Sequence, residues 1–71
     1  MKGRNAEDQR YLDTVSSRVA RMRRDRGWSL RDLARRAGVG PSTIHRLEHA
    51  KDVTLTQAAR IVKALGGNIY P

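Results

Sequence analysis

The sequence predicts an all-α domain of four short helices, and three observations predict it. Apolar residues recur at spacings of three and four in four separate stretches, as helices with one buried face require. Between those stretches stand residues that stop or start helices: Gly27, Ser29, Gly38, Pro41, Thr54 and Gly66. Nothing between them reads as a credible internal strand.

Residues 1–10, polar and glycine-containing, read as a flexible N-terminal segment, 11–67 as the folded domain and 68–71 as a short C-terminal tail. The first helix is expected from about Asp8 to Arg26, with Leu12, Val15, Val19 and Met22 as its buried stripe. Gly27 closes it. Trp28 then precedes Ser29, where it can pack on Leu33 as a hydrophobic staple. Ser29 caps the second helix, with Asp32 completing a capping box. Leu30, Leu33, Ala34 and Ala37 point inward.

Gly38 stops that helix, because glycine enters the left-handed conformation without steric cost. Val39 drops back into the core, and Gly40 with Pro41 restarts the chain, since proline suits the first helical position. Ile44 and Leu47 form the inner face of the third helix, leaving Ser42, His45, Arg46 and His49 outward. Helix, glycine, apolar residue, helix across Ser29–Leu47 is a helix-turn-helix. After a polar link, Thr54 and Gln57 make a second capping box, and Leu55, Ala58, Ile61, Val62 and Leu65 are the expected inner face of the last helix. Gly66 and Gly67 end it. The tail is too short for a helix; Ile69 and Tyr70 suit packing on the core or pairing with a second copy.

Composition bounds the function. A chain of 71 residues supports one core, and with one Trp, two Tyr and no Phe that core must be aliphatic and its stability modest. The absence of Cys excludes disulfides and Cys-based zinc sites. No apolar run approaches the roughly 18 residues of a membrane span. The N-terminus lacks the apolar segment of a signal peptide, so the expected place is the cytoplasm, with no membrane partner. The net charge of +8 is unevenly placed: residues 18–36 hold eight Arg against Asp25 and Asp32, a surplus of six. Such a concentration suits a polyanion, although an Arg-rich solvated surface would look the same.

With these residues in place, the chain resembles the lambdoid-phage repressor and Cro group, the XRE family of helix-turn-helix regulators. The likeness spans roughly Val15 to Gly66, and GVGPSTIHRLE matches its turn and recognition helix. The resemblance implies a compact lambda-repressor-like fold that binds a double-stranded DNA operator, usually as a homodimer, to control transcription in a bacterium or phage. It implies base contacts from Pro41, Ser42, His45 and Arg46. Ser29, Leu30 and Lys51 match phosphate-contacting positions, and Arg23 with Glu48 matches a structural pair.

Physical reasons stand beside those assignments. Arg46 can pair with guanine through two hydrogen bonds, worth about 1–3 kcal/mol of discrimination. Ser42 and Thr43 are short donors at a helix N-terminus, reached through Gly40, where the dipole favours phosphate. Arg31, Arg35 and Arg36 would form a flanking positive face. Leu30 replaces a Gln common in the family, and His49-Ala50 replaces its usual Asn-Gly.

Other readings remain open at this point. The same domain serves antitoxins that repress their own operons, which would add a protein partner, a toxin or another regulator. It also serves interaction modules that read no DNA. His45 to His49 spells H-x-x-E-H, a zinc-peptidase motif, but nothing downstream supplies a third ligand or a cleft. No cofactor, metal or enzymatic activity is expected. Trp28 reads as a core residue.

Overall fold

A computed structural model describes residues 6–67 of the chain. They form α1 (Ala6–Asp25), α2 (Leu30–Ala37), α3 (Pro41–Glu48) and α4 (Leu55–Ala64), with no strand among the described residues. The all-α expectation holds. Among the described residues α1 is helical from Ala6, two residues ahead of the expected start near Asp8. Glu7 and Asp8 in its first turn favour that start, because they face the positive end of the helix dipole. The expected roles of Ile69 and Tyr70 lie outside the described residues.

Both capping boxes form. The Ser29 hydroxyl accepts the Asp32 N–H at 3.0 Å while the Asp32 carboxylate accepts the Ser29 N–H at 2.9 Å. Thr54 and Gln57 repeat the exchange at 3.1 and 3.0 Å. Each cap is worth about 1 kcal/mol.

The four helices also end alike. The N–H groups of Trp28, Val39, Lys51 and Gly67 donate to the carbonyls of Arg23, Ala34, Arg46 and Val62 at 2.8–3.1 Å. In each case the residue before the donor is left-handed: Gly27, Gly38, Ala50 and Gly66, with φ of 71°, 72°, 57° and 101°. This is the Schellman closure, which satisfies carbonyls the helix leaves unpaired. Gly38 adopts it freely. Ala50 does not, since its Cβ meets a cost of about 1–2 kcal/mol there.

The core is the aliphatic cluster Val15, Val19, Leu33, Ala34, Ala37, Ile44, Leu47, Ile61 and Leu65. α2 packs on α3 and α4, α1 on α3, and α3 on α4. Leu12, Met22, Val39 and Trp28 are half-buried against the cluster, so Trp28 is an edge residue rather than a central one. Leu55 overturns its expected inward position: it is 86% exposed. The reason is rotational. Ile61 is fully buried, and at 3.6 residues per turn Leu55 lies about 120° around α4 from it. Ser16 was not foreseen inside; it is buried, with its hydroxyl donating to the Asp13 carbonyl at 3.0 Å.

Candidate nucleic-acid interface

The orientation of α3 follows from two side chains. Ile44 and Leu47 are 0% and 1% exposed, and their burial turns Pro41, Ser42, His45, Arg46 and His49 to solvent, all of them exposed. Thr43 is half-buried. Gly40 supplies the backbone start with no side-chain cap, Pro41 occupies the first turn, and the Thr43 N–H donates to the Gly40 carbonyl at 3.0 Å. The result is a short helix whose N-terminal end and outer side present small donors and an arginine.

That outer side is organised rather than loose. The His45 and His49 rings stack with centroids 4.1 Å apart, and His49 Nδ1 lies 2.8 Å from the His45 carbonyl, a contact its N–H makes by donating. Arg46 donates through Nη2 to the Asp52 carbonyl at 2.8 Å, tying the end of α3 to the link before α4. Lys51 is exposed on that link.

Behind α3 lies the Arg23–Glu48 pair. Arg23 donates through Nε to Glu48 at 2.6 Å and through Nη2 at 3.0 Å, with side chains 13% and 5% exposed. Its Nη1 also donates to the Trp28 carbonyl at 2.8 Å. The Arg23 guanidinium is held above its ordinary pKa, chiefly by these hydrogen bonds to Glu48, against the opposing effect of desolvation.

α2 flanks this surface. Ser29, Arg31 and Arg35 are exposed. Arg35 pairs with Asp32 at 2.8 Å in a solvent-facing ion pair, which is weak enough to yield to a phosphate. The Asp32 carboxyl is pulled below its usual range, first by the Ser29 backbone N–H, then by the Ser29 side chain and by Arg35 and Arg36. Arg36 is turned aside, over the Trp28 ring at 4.2 Å, with Arg26 at 5.5 Å from the same ring. Of the eight Arg between residues 18 and 36, Arg23, Arg26, Arg35 and Arg36 therefore make contacts within the chain. Two of these, Arg23 and Arg35, face the carboxylates of Glu48 and Asp32, so fewer cationic side chains reach outward than the sequence count suggests. Sequence reasoning missed Arg60 of α4, whose Nη1 donates to the Gly38 carbonyl at 3.4 Å and adds a cation at the turn. A contact spanning 22 residues leaves no local signal.

Glu48 of H-x-x-E-H is committed to Arg23, and among the described residues no three His, Cys, Asp or Glu gather where a metal ion could be held.

Two short helices joined through a left-handed glycine, the second held by its inner face and exposing its outer one, define a helix-turn-helix domain. A family model described as a helix-turn-helix domain matches residues 15–68, and the chain belongs to that family. No curated protein and no solved structure matches it. Membership accords with the likeness to the phage repressor and Cro group and suggests a DNA-binding regulator; domains of this family are typically not enzymes. Among the described residues no helix is long and apolar enough to cross a membrane.

Proposed function

We propose that the chain is a sequence-specific regulator of transcription that binds double-stranded DNA, acting as a repressor by occupying an operator. α3 enters the major groove, and two copies bind the halves of a near-palindromic site. The single observation that carries this reading is the outer side of α3, solvent-facing from Pro41 to His49 while Ile44 and Leu47 are sealed beneath it. A helix of that length and exposure fits the major groove.

In this reading Arg46 exchanges the Asp52 carbonyl for the O6 and N7 acceptors of guanine. Ser42, His45 and the Pro41 ring meet neighbouring base edges. Thr43, with the start of α3 at Gly40, faces a phosphate, and Ser29, Arg31, Arg35 and Lys51 hold the sugar–phosphate rails on either side. The place of action is the cytoplasm, on bacterial or phage DNA.

Mobility shifts of Arg46→Ala against duplexes differing at single base pairs test the assignment. Arg46 as a reader predicts that discrimination falls at one base pair in each half-site, by about 1–3 kcal/mol. Equal weakening on every duplex would remove Arg46 from that role.

A further inference from the structure

The chain holds two His and no Cys, and the fold brings both imidazoles together. His45 and His49 stand one turn apart on the outer side of α3, exposed, with ring centroids 4.1 Å apart and an angle of 27° between the ring planes. His49 is fixed twice to one acceptor: its backbone N–H and its Nδ1–H both donate to the His45 carbonyl, at 3.1 and 2.8 Å. A ring held through Nδ1–H to a carbonyl has the tautomer and orientation of a metal-ligating His, with the Nε2 lone pair left to coordinate. The His45 ring makes no hydrogen bond among the described residues. It is the adjustable member, and its terminal torsion is soft. Turning it brings one nitrogen of each ring to a shared point, since side chains at i and i+4 start about 5–6 Å apart and metal–nitrogen bonds are about 2.0–2.1 Å.

We propose that His45 and His49 form a reversible site for a borderline divalent transition-metal ion, of the Zn²⁺, Ni²⁺ and Cu²⁺ class, and that the bound ion switches off reading by α3. Imidazole selects such ions over Mg²⁺, which prefers oxygen ligands. A net charge of +8 opposes any cation held by charge alone. Two protein ligands leave the remaining positions to water, so the site is open and exchangeable rather than structural. Glu48, between them in sequence, is held by Arg23 and stays out. Occupancy excludes DNA for reasons of space. A helix with its side chains is about 10–12 Å across and the major groove about 12 Å wide, which leaves no room for a hydrated ion on the helix's outer side. A chelated His45 also loses its base edge. The switch rests on the DNA-reading proposal; metal binding by the pair does not.

Titration of the full chain, without an affinity tag, with Zn²⁺ alone tests the site through the imidazole NMR signals. One Zn²⁺ per chain is expected to shift the signals of both rings together, and Mg²⁺ to shift neither. His45→Gln and His49→Gln should each weaken Zn²⁺ binding about tenfold or more with an unchanged circular dichroism spectrum, because a single imidazole cannot chelate. Saturating Zn²⁺ should then lower wild-type affinity for its selected duplex about tenfold or more, and the duplex should lower Zn²⁺ affinity by the same factor. His49→Gln, compared with its own metal-free binding, should lose that response. Zn²⁺ bound no more tightly by the wild type than by either variant, or a shift in one ring only, overturns the site. Unchanged duplex affinity at saturating Zn²⁺ overturns the switch. Failure to select any duplex sinks DNA reading and the switch with it, while the zinc titration decides the site by itself.

Discussion

Arg23 joins three parts of the fold through one guanidinium, holding Glu48 at 2.6 and 3.0 Å and the Trp28 carbonyl at 2.8 Å. The last residue of α3 is thereby fixed to α1 and to the link that leads into α2. The proposed reading helix is held from behind by Arg23 and the core, and its front remains open.

Breaking that pair should be severe. Glu48→Ala leaves a mostly buried guanidinium without its carboxylate, for a loss of about 3–5 kcal/mol. A domain with so small a core would then be largely unfolded, as urea titration followed by circular dichroism will show. Replacing both partners, Arg23→Met with Glu48→Leu, should recover most of the loss.

Ala50 stands in the left-handed closure of α3, with φ of 57°. Ala50→Gly relieves about 1–2 kcal/mol of steric cost and adds about 0.4–1 kcal/mol of unfolded-state freedom, so net stabilisation of about 0.5–1 kcal/mol is expected. The check is a melting temperature raised by a few degrees. A fall would mean that the closure tolerates the methyl group without strain.

Acid sensitivity should trace in part to Asp32. Its carboxyl titrates below the usual range because Ser29 donates to the charged form. The stabilisation is present above the unfolded carboxylate pKa, near 4, and is lost as pH falls through the lower folded value. Asp32→Asn should therefore narrow its stability gap to wild type in that acid window, measured by denaturation across pH. A gap constant down to the lowest pH contradicts the capping role.

Phosphate contacts should appear as salt dependence. Lys51→Ala and Arg31→Ala are each expected to lower the slope of log K against log salt by about 1 and to leave the preferred sequence unchanged. Fluorescence anisotropy at several salt concentrations reads both effects.

The helix boundaries were legible because their signals are local. Ser29 with Asp32, Thr54 with Gln57, and Gly27 and Gly38 each act within one turn. What the local pattern hides is set by tertiary geometry. Leu55 matches the apolar spacing of α4 but lies outside the arc that three other helices can cover. Trp28 stays at the core's edge beneath Arg36, and Ser16 is buried with a partner on its own helix. The tie from Arg46 to Asp52 depends on how the chain turns after α3, which at Ala50 bends left-handed with no glycine to announce it. The Arg23–Glu48 pair came only from the family likeness, since 25 residues separate its partners.

The most direct measurement is selection of bound duplexes from a random pool, run with the wild type and with a Ser42→Ala, His45→Ala, Arg46→Ala triple variant. The account predicts that the wild type enriches a site with two related halves, while the folded variant keeps only weak, salt-sensitive binding and enriches none. Enrichment of one sequence by both proteins, or of none by the wild type, would contradict it.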